Sequence, residues 1–175
     1  MNYTSTSWRI QPDFPLGNLF DGGIHLIASV TKLFGTPASI FAASGKKFRP
    51  GYGPYDQVAM VFRYKDGLTG MLSHSDCLSE AQNHFHVHGT EGSISWIPER
   101  ILIQKPNQPA RNIDLPTENP YTNMWQAIAD AWRAQRQPTY TAERALRDLM
   151  VIELVGQSIT LGQPVDTITS DLIAS

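Results

Sequence analysis

The chain has 175 residues, of which 41% are hydrophobic and 17% charged, and a formal net charge of −2. That length suits one ordinary domain, so we expect a single domain over residues 1–175, with 1–18 as an irregular lead-in. The absence of any run of like charge excludes the basic footprint that nucleic acids require, and the lightly charged surface favours self-association.

Cysteine content and the N-terminal residues predict the compartment. Cys77 is the only cysteine, so no disulfide can form within the chain. The opening residues contain no apolar segment of the signal-peptide kind, and no stretch approaches the roughly 18 apolar residues of a membrane span. We therefore expect a cytoplasmic protein with neither nucleic acid nor a membrane as partner.

The first regular element is a helix. Apolar residues recur at helical spacing over 20–34, Gly35 provides a C-terminal stop, and Pro37 lies just beyond it. From residue 38 the period changes from helical to alternating, which predicts a short strand over 39–43. A loop rich in glycine and proline follows at 45–55.

Two hairpins come next. Apolar side chains occupy alternate positions over 58–64, Asp66-Gly67 is typical of a type I′ turn, and the chain returns over 68–74. The segment 83–97 repeats this alternation around a turn that contains two glycines. Both segments are predicted to be antiparallel.

The rest of the chain is predicted to be one strand and two helices. The strand covers 101–104. Asn119 caps the first helix and Pro120 starts it, and its apolar stripe is Tyr121, Met124, Trp125, Ile128 and Trp132. The second runs over 142–161 and stops at Gly162, with four residues pointing inward: Leu146, Leu149, Met150 and Val155. These elements predict an α+β fold whose open, mostly antiparallel sheet carries helices on one face.

Asp21 and His25 are the first candidate for chemistry. Residues four apart on a helix share a face, so the carboxylate could hold the imidazole in one tautomer and aim its other nitrogen at a substrate hydroxyl. Gly22 and Gly23 would let a ligand approach the backbone. A purely structural interpretation remains open, in which Asp21 caps the helix and His25 lies at its rim.

A second candidate is the row His84, His86 and His88. Alternate residues of a strand point the same way, so neighbouring histidines stand about 6.6 Å apart and two could share a metal. The outer two are about 13 Å apart, too far for one ion. Further ligands would have to come from His74, Asp76 or Cys77. We expect a polar row on an exposed or oligomer-facing side, and no metal, with a small metalloprotein as an alternative.

Five segments, in order and spacing, resemble the C-terminal domain of the Gfo/Idh/MocA family of NAD(P)-dependent oxidoreductases. They cover nearly the whole chain: SWRIQPD at 7–13, PLGNLFDGGIHLIASVTKLFGTPASIFA at 15–42, MVFRYKDGLTGML at 60–72, HVHGTEGSISW at 86–96 and AERALRDLMVIELVGQSITLGQPV at 142–165. The second of these contains the pattern of the family's G-x-x-x-D-x-G-x-H helix.

The resemblance implies roles for four residues. Asp21 and His25 match the catalytic pair, whose histidine accepts or donates a proton while hydride passes between substrate and nicotinamide. Trp8 and Arg9 would line the substrate site. The substrate would be a sugar, a polyol or a related hydroxy compound, and the open sheet face would pack against a second copy to form a homodimer.

The chain also departs from the family pattern. It has no strand followed by G-x-G-x-x-G, so we expect it to bind no NAD or NADP alone and to be inactive alone. The cofactor would come with a Rossmann domain, on a longer chain or a separate polypeptide. Ala28 stands where the family often has an acidic residue, and Leu16-Gly17 replaces paired glycines. A non-catalytic binding or dimerisation module of the same fold is the alternative function.

Overall fold

The computed structural model describes residues 6–11, 14–49, 51, 53–78, 83–97, 99–116 and 119–167. The chain divides into two compact units: the first comprises Met1–Leu78 with Tyr140–Ser175, and the second Ser79–Thr139. The predicted α+β class and the antiparallel pairing are confirmed. The strands form two open four-stranded sheets, one in each unit.

The elements follow the predicted order. A 3₁₀ helix at Ser7–Ile10 is followed by α1 (Asn18–Asp21), α2 (Gly23–Phe34), β1 (Ser39–Ser44), β2 (Gln57–Arg63), β3 (Thr69–Ser75), β4 (Phe85–Gly89), β5 (Gly92–Ile97), β6 (Arg100–Gln104), β7 (Arg111–Asp114), α3 (Pro120–Arg133), α4 (Ala142–Leu161) and β8 (Val165–Asp166). Among the described residues, no helix is long and apolar enough to cross a membrane.

The sheet of the first unit has the order β3-β2-β1-β8. Alternation along its strands buries one row of apolar side chains beneath α2 and α4, namely Ile40, Ala42, Val58, Met60 and Phe62. The backbone N–H of Ala42 donates to Ser158 Oγ of α4 at 2.9 Å, which satisfies a donor that β8 is too short to reach. The sheet and its helices therefore share one core.

The predicted helix over 20–34 is interrupted. It begins earlier, at Asn18, and Gly22 separates α1 from α2. Two adjacent glycines explain the break, since glycine is about 1 kcal/mol less favourable than alanine inside a helix. The stop at Gly35 is confirmed, because its φ of 79° is a conformation that L-residues avoid.

The first predicted turn type was wrong. A type I′ turn needs positive φ at both central residues, but Asp66 has no positive φ, whereas Gly67 has φ 90°. Tyr64 N donates to Leu68 O at 2.9 Å, so the loop has three residues and places Gly67 in the left-handed conformation. The hairpin itself is formed as predicted.

Helix α4 buries a different stripe from the predicted one. Leu146 is 50% exposed, whereas Val155 is buried as expected. The fully buried positions of α4 are Asp148, Val151, Ile152, Val155, Gly156 and Ser158. Asp148 and Ser158 point inward because each has a hydrogen-bond partner there. Hydrophobic periodicity does not predict such buried polar positions.

The second unit contains β4-β5-β6-β7 and α3. Asn119 caps α3 as predicted, its side chain accepting from Tyr121 N at 2.9 Å. The predicted apolar stripe of α3 is exposed, with Trp125 at 64% and Trp132 at 81%. Amphipathic spacing therefore predicted the helix but not a buried face. The strands β7 and β8 were not predicted; both are short.

Candidate functional site

Three of the four predicted site residues meet at the start of the first unit. Arg9 Nε lies 2.9 Å from Asp21 Oδ2 in an ion pair, and both side chains are about three quarters buried. The Arg9 guanidinium also lies over the Trp8 ring, 4.8 Å from its centroid. The 3₁₀ helix that carries Trp8 and Arg9 is thus fixed against the end of α1.

Aromatic contacts extend this arrangement toward α1. Trp8 packs edge-on against Phe14, with ring centroids 5.2 Å apart, and Phe14 packs edge-on against Phe20 at 5.8 Å. Edge-to-face pairs contribute about 0.5–1.5 kcal/mol beyond the area they bury. The irregular lead-in is therefore held by side-chain packing rather than by a sheet or a long helix.

His25 is placed differently from the prediction. It is the third residue of α2, three residues after the break at Gly22, and its side chain is exposed. Within the described residues no hydrogen bond or ion pair joins Asp21 to His25, because the carboxylate pairs with Arg9 instead. Asp21 and His25 are close in sequence, but the predicted hydrogen bond from the imidazole to the Asp21 carboxylate is not formed.

A cavity of about 480 Å³ opens beside Arg9. Two cationic side chains and one amide face it, those of Arg9, Lys47 and Gln11, and its other walls are Phe14, Pro15, Leu16, Gly51, Gly53 and Pro54. A mostly apolar cleft with a few converging polar groups is the usual form of a small-molecule site. Cations and amides of this kind suit hydroxyl and carboxylate oxygens. Sequence reasoning missed Lys47 and Gln11.

The loop that carries Lys47 is anchored by a buried carboxylate. Asp56 is 1% exposed, and its Oδ2 accepts from the backbone N–H groups of Phe48 and Arg49, each at 2.6 Å. Burial alone would raise the pKa of Asp56, but the donors from Arg49 and Phe48 outweigh it and hold the pKa below its ordinary value. The only sequence signal for this anchor was an aspartate closing a loop rich in glycine and proline.

The same loop touches the lead-in through its backbone. Gly53 has φ 81°, and a Cβ added there would lie 2.3 Å from the Cα of Gly17. No side chain fits between these two backbone segments at that distance. Gly53, which lines the cavity, therefore has its backbone packed directly against that of Gly17.

Helix α1 is tied to the sheet by a second polar cluster. Asn18 Nδ2 donates to Asp76 Oδ1, and His74 Nε2 lies 3.4 Å from Asp76 Oδ2. Asn18 is the first residue of α1, and His74 is in β3. The cluster thus holds Asp21, three residues after Asn18, in a fixed position relative to the sheet.

The histidine row of the second unit has the expected geometry. The rings of His84 and His86 are 6.4 Å apart, those of His86 and His88 6.5 Å, and all three side chains are exposed. His86 Nδ1 contacts Ser95 Oγ at 2.9 Å. In the part of the chain that is described, no group of three or more histidine, cysteine or acidic side chains could hold a metal ion.

A dinucleotide site of the usual kind needs a strand, a glycine-rich turn and a helix N-terminus in succession. The described residues contain no such succession, and the glycine-rich stretch at 51–56 leads instead into strand β2.

Comparisons with known proteins identify the family of this chain. A family model described as GFO/IDH/MocA C-terminal domain matches residues 1–95, more than half of the chain. Dehydrogenase FPY6 of Fusarium mangiferae aligns with this chain at 26% identity over 165 residues. The alignment covers 86% of this chain and 46% of that protein.

Two solved structures share the fold. An oxidoreductase of Thermotoga maritima is 26% identical with a TM-score of 0.80, over 95% of this chain and 49% of its own. Levoglucosan dehydrogenase, solved with NADH and levoglucosan, is 19% identical with a TM-score of 0.80, over 96% of this chain and 55% of its own. The chain spans about half the length of these relatives. It belongs to the Gfo/Idh/MocA family, in which it corresponds to the C-terminal domain.

Proposed function

We propose that this chain is the substrate-binding part of an NAD(P)-dependent oxidoreductase that acts on a CH–OH group of a sugar, a polyol or a related hydroxy compound. The observation that carries the proposal is the Arg9–Asp21 ion pair, with Arg9 in the wall of an open cavity, within the segment that matches the family. His25 enters the proposal through its place in the family's G-x-x-x-D-x-G-x-H pattern. Levoglucosan dehydrogenase, which shares the fold, was solved with a sugar derivative.

Each of these residues has a separate task in the proposal. His25 is exposed at the first turn of α2 and takes the hydroxyl proton of the substrate. Arg9 donates hydrogen bonds to substrate oxygens, and Asp21 holds the guanidinium in place through their 2.9 Å ion pair. Asp21 is therefore a positioning residue, and its partner is Arg9 rather than the imidazole.

The cofactor would be held elsewhere. A Rossmann domain would supply the NAD or NADP site that these residues do not form. The chain alone would then bind substrate without oxidising it, so binding and turnover can be measured separately.

The binding arm of the test uses the chain itself. Levoglucosan, glucose, myo-inositol and glycerol are titrated separately while the histidine ring signals are followed by NMR. We expect at least one compound to shift the His25 signals saturably, and Arg9→Gln to weaken that binding at least tenfold. Arg111→Gln removes the same charge from an exposed position of the second unit and should leave binding unchanged. Failure of all four compounds to bind would contradict the proposal.

The turnover arm uses a polypeptide in which a Rossmann domain accompanies the chain. There, His25→Asn should lower the rate of NAD(P)⁺ reduction by about 10²–10⁴-fold while substrate binding persists, because general bases contribute that much. His88→Asn, an exposed histidine in the second unit, is the matched control. Equal rates for both variants would remove His25 from the mechanism.

We propose, as a second function, that the outer face of the first sheet forms a homodimer. The side of the sheet away from α2 and α4 is apolar and uncharged at its centre, with rows made by Phe41, Val61 and Met71 and by Ala43, Ala59 and Ser73. Met71 is 87% exposed and Phe41 39%. Apolar patches of this kind mark protein contacts.

A second copy of the same face is the proposed occupant, because two such faces would bury each other's apolar rows. Light scattering at micromolar concentration should give twice the chain mass, and Val61→Lys should give a monomer. Leu146→Lys, at an exposed apolar position on α4, should leave the dimer intact. A monomeric wild-type chain at that concentration would contradict the proposal.

A further inference from the structure

A second cavity lies in the first unit, at the other end of α2 from His25. It has a volume of about 230 Å³ and lies between the last turn of α2 and the first turns of α4. Its walls are Ala28, Thr31, Lys32, Gly35, Thr36, Tyr140, Arg144, Arg147 and Asp148. Lys32 is seven residues beyond His25, about 10 Å along the helix axis at 1.5 Å per residue. Ala28 is the wall residue nearest to His25 in sequence, and no wall residue is shared with the cavity beside Arg9.

The charges around this cavity are unevenly distributed. Three cationic side chains line it, those of Lys32, Arg144 and Arg147, against one carboxylate, that of Asp148. The chain as a whole carries a net charge of −2. A local excess of positive charge in a chain of negative net charge favours anions at this place over the rest of the surface.

The one carboxylate in the wall, that of Asp148, accepts hydrogen bonds from two hydroxyl groups. Asp148 is 3% exposed, and its two oxygens accept from Thr31 Oγ1 and from the Tyr140 hydroxyl, the latter at 2.6 Å. Burial, together with this hydrogen bond to Asp148, raises the pKa of Tyr140 to about 12, so its hydroxyl keeps its proton at neutral pH. Asp148 therefore holds the side chains of Thr31 and Tyr140 in the wall. Within the described residues it forms no ion pair with Lys32 or Arg147.

Glu143 lies outside the cavity wall. Its lowered pKa is caused mainly by the hydroxyl of Thr141, the N-cap residue of α4, and to a smaller extent by the charge of Arg147. In the described part of the chain no ion pair involves Lys32 or Arg147, and both side chains are exposed. Two positive charges beside the cavity are thus available to a ligand.

We propose that this cavity binds a phosphate dianion, either inorganic phosphate or the phosphate group of a small metabolite. Guanidinium groups bind phosphate oxygens in pairs of parallel hydrogen bonds, and a lysine adds a point charge. The hydroxyl of Thr36 is a further donor in the wall. None of the wall residues is among the four predicted for the substrate site, so phosphate binding can be tested separately from the proposed oxidoreductase activity.

Inorganic phosphate is the first probe, titrated by calorimetry at constant ionic strength with chloride as the reference anion. We expect saturable binding to the wild-type chain. Arg147→Gln and Lys32→Gln should each weaken it at least fivefold, and the double variant should abolish it. Lys65→Gln and Arg111→Gln remove one positive charge each from exposed positions that do not line the cavity and should change the affinity less than twofold.

Two outcomes would overturn the proposal: no saturable binding of phosphate to the wild-type chain, or equal losses in the cavity variants and in the two controls, which would indicate a general charge effect. Circular dichroism and thermal unfolding of each variant show whether it is folded. Glycerol 3-phosphate in place of phosphate separates the two sources, since a metabolite site should bind it more tightly and a site for the free ion more weakly.

Discussion

The two units of this chain differ in how much of their apolar surface is buried. Among the described residues, the buried hydrophobic side chains belong to the first unit except for Ala131. In the second unit the face of α3 and several sheet residues are exposed, among them Trp132 and Ile94. All four residues predicted for the substrate site lie in the first unit. The proposed site therefore lies in the unit that holds nearly all of the buried hydrophobic side chains.

This difference has a physical consequence. A site needs its side chains held within a fraction of an ångström, and a packed core supplies that rigidity. An exposed apolar face supplies a surface for contact and little rigidity. We thus expect stability changes to be large in the first unit and small in the second, and four sets of substitutions test this expectation.

The largest effect is expected from Phe62→Ala. Phe62 is 1% exposed in the centre of the first sheet, and deleting a buried phenylalanine costs about 3–5 kcal/mol. Ile103→Ala, at a half-buried position of the second sheet, is the counterpart and should cost less than half as much. Urea unfolding of both variants gives the comparison, and equal costs would show that the second unit has a core of similar strength.

The next largest effect is expected from Asp56→Ala. It leaves the partly buried N–H groups of Phe48 and Arg49 without their acceptor, which costs about 1–3 kcal/mol. Because the pKa of Asp56 is lowered on folding, the stability it contributes is present above its unfolded pKa and is lost as pH falls through the folded pKa.

Asp56→Asn keeps the size of the side chain but cannot ionise. Its urea midpoint should fall less than that of the wild type when the pH is lowered from about 5 toward 2, a window that starts above the ordinary pKa of aspartate near 3.9. An unchanged acid dependence would mean that Asp56 does not contribute to it. Asp66→Asn, at an exposed aspartate of the first hairpin loop, is the control.

Helix caps give an intermediate test with the same chemistry in both units. Thr141 Oγ1 accepts from Arg144 N at the start of α4, and the Asn119 side chain accepts from Tyr121 N at the start of α3. Removing a cap costs about 1 kcal/mol. Thr141→Ala should lower the global free energy of unfolding, whereas Asn119→Ala should raise amide exchange in α3 alone. If Asn119→Ala lowered the global free energy of unfolding and Thr141→Ala affected only local exchange, the expected difference between the two units would be contradicted.

The smallest effect is expected from Trp132→Ser. Trp132 is 81% exposed, and exposed substitutions usually change stability by less than about 0.5 kcal/mol. Denaturant unfolding checks this directly. A loss above 2 kcal/mol would mean that the face of α3 is covered in solution, either by another copy or by another domain.

Much of the fold could be predicted from the sequence because local signals were strong. Gly35 and Gly162 ended their helices, Asn119 capped α3, and both hairpins formed at the predicted positions. The turn at Asp66-Gly67 was assigned to the wrong type because the dipeptide suits two loop lengths. The inward face of α4 was misjudged at Leu146, since partners for buried polar groups lie far away in sequence.

The site was only partly predictable for the same reason. The resemblance to the family pointed to Trp8, Arg9, Asp21 and His25, and the structure brings the first three together. It pairs Asp21 with Arg9, which lies on a separate segment, a contact that helical spacing cannot reveal. Lys47 and Asp56 depend on how the loop at 45–55 folds back, and that is decided by contacts to residues 14–17.

The main-chain contact between Gly17 and Gly53 also bears on how this cavity could acquire new specificity. Gly53 lines the cavity and has no room for a Cβ, whereas substitutions at Gln11 or Lys47 can alter charge and size without moving this backbone contact. Any residue with a Cβ at position 53 would instead push the two segments apart. If the cavity binds substrate as proposed, selection for a different substrate can act on Gln11 and Lys47 but not on Gly53.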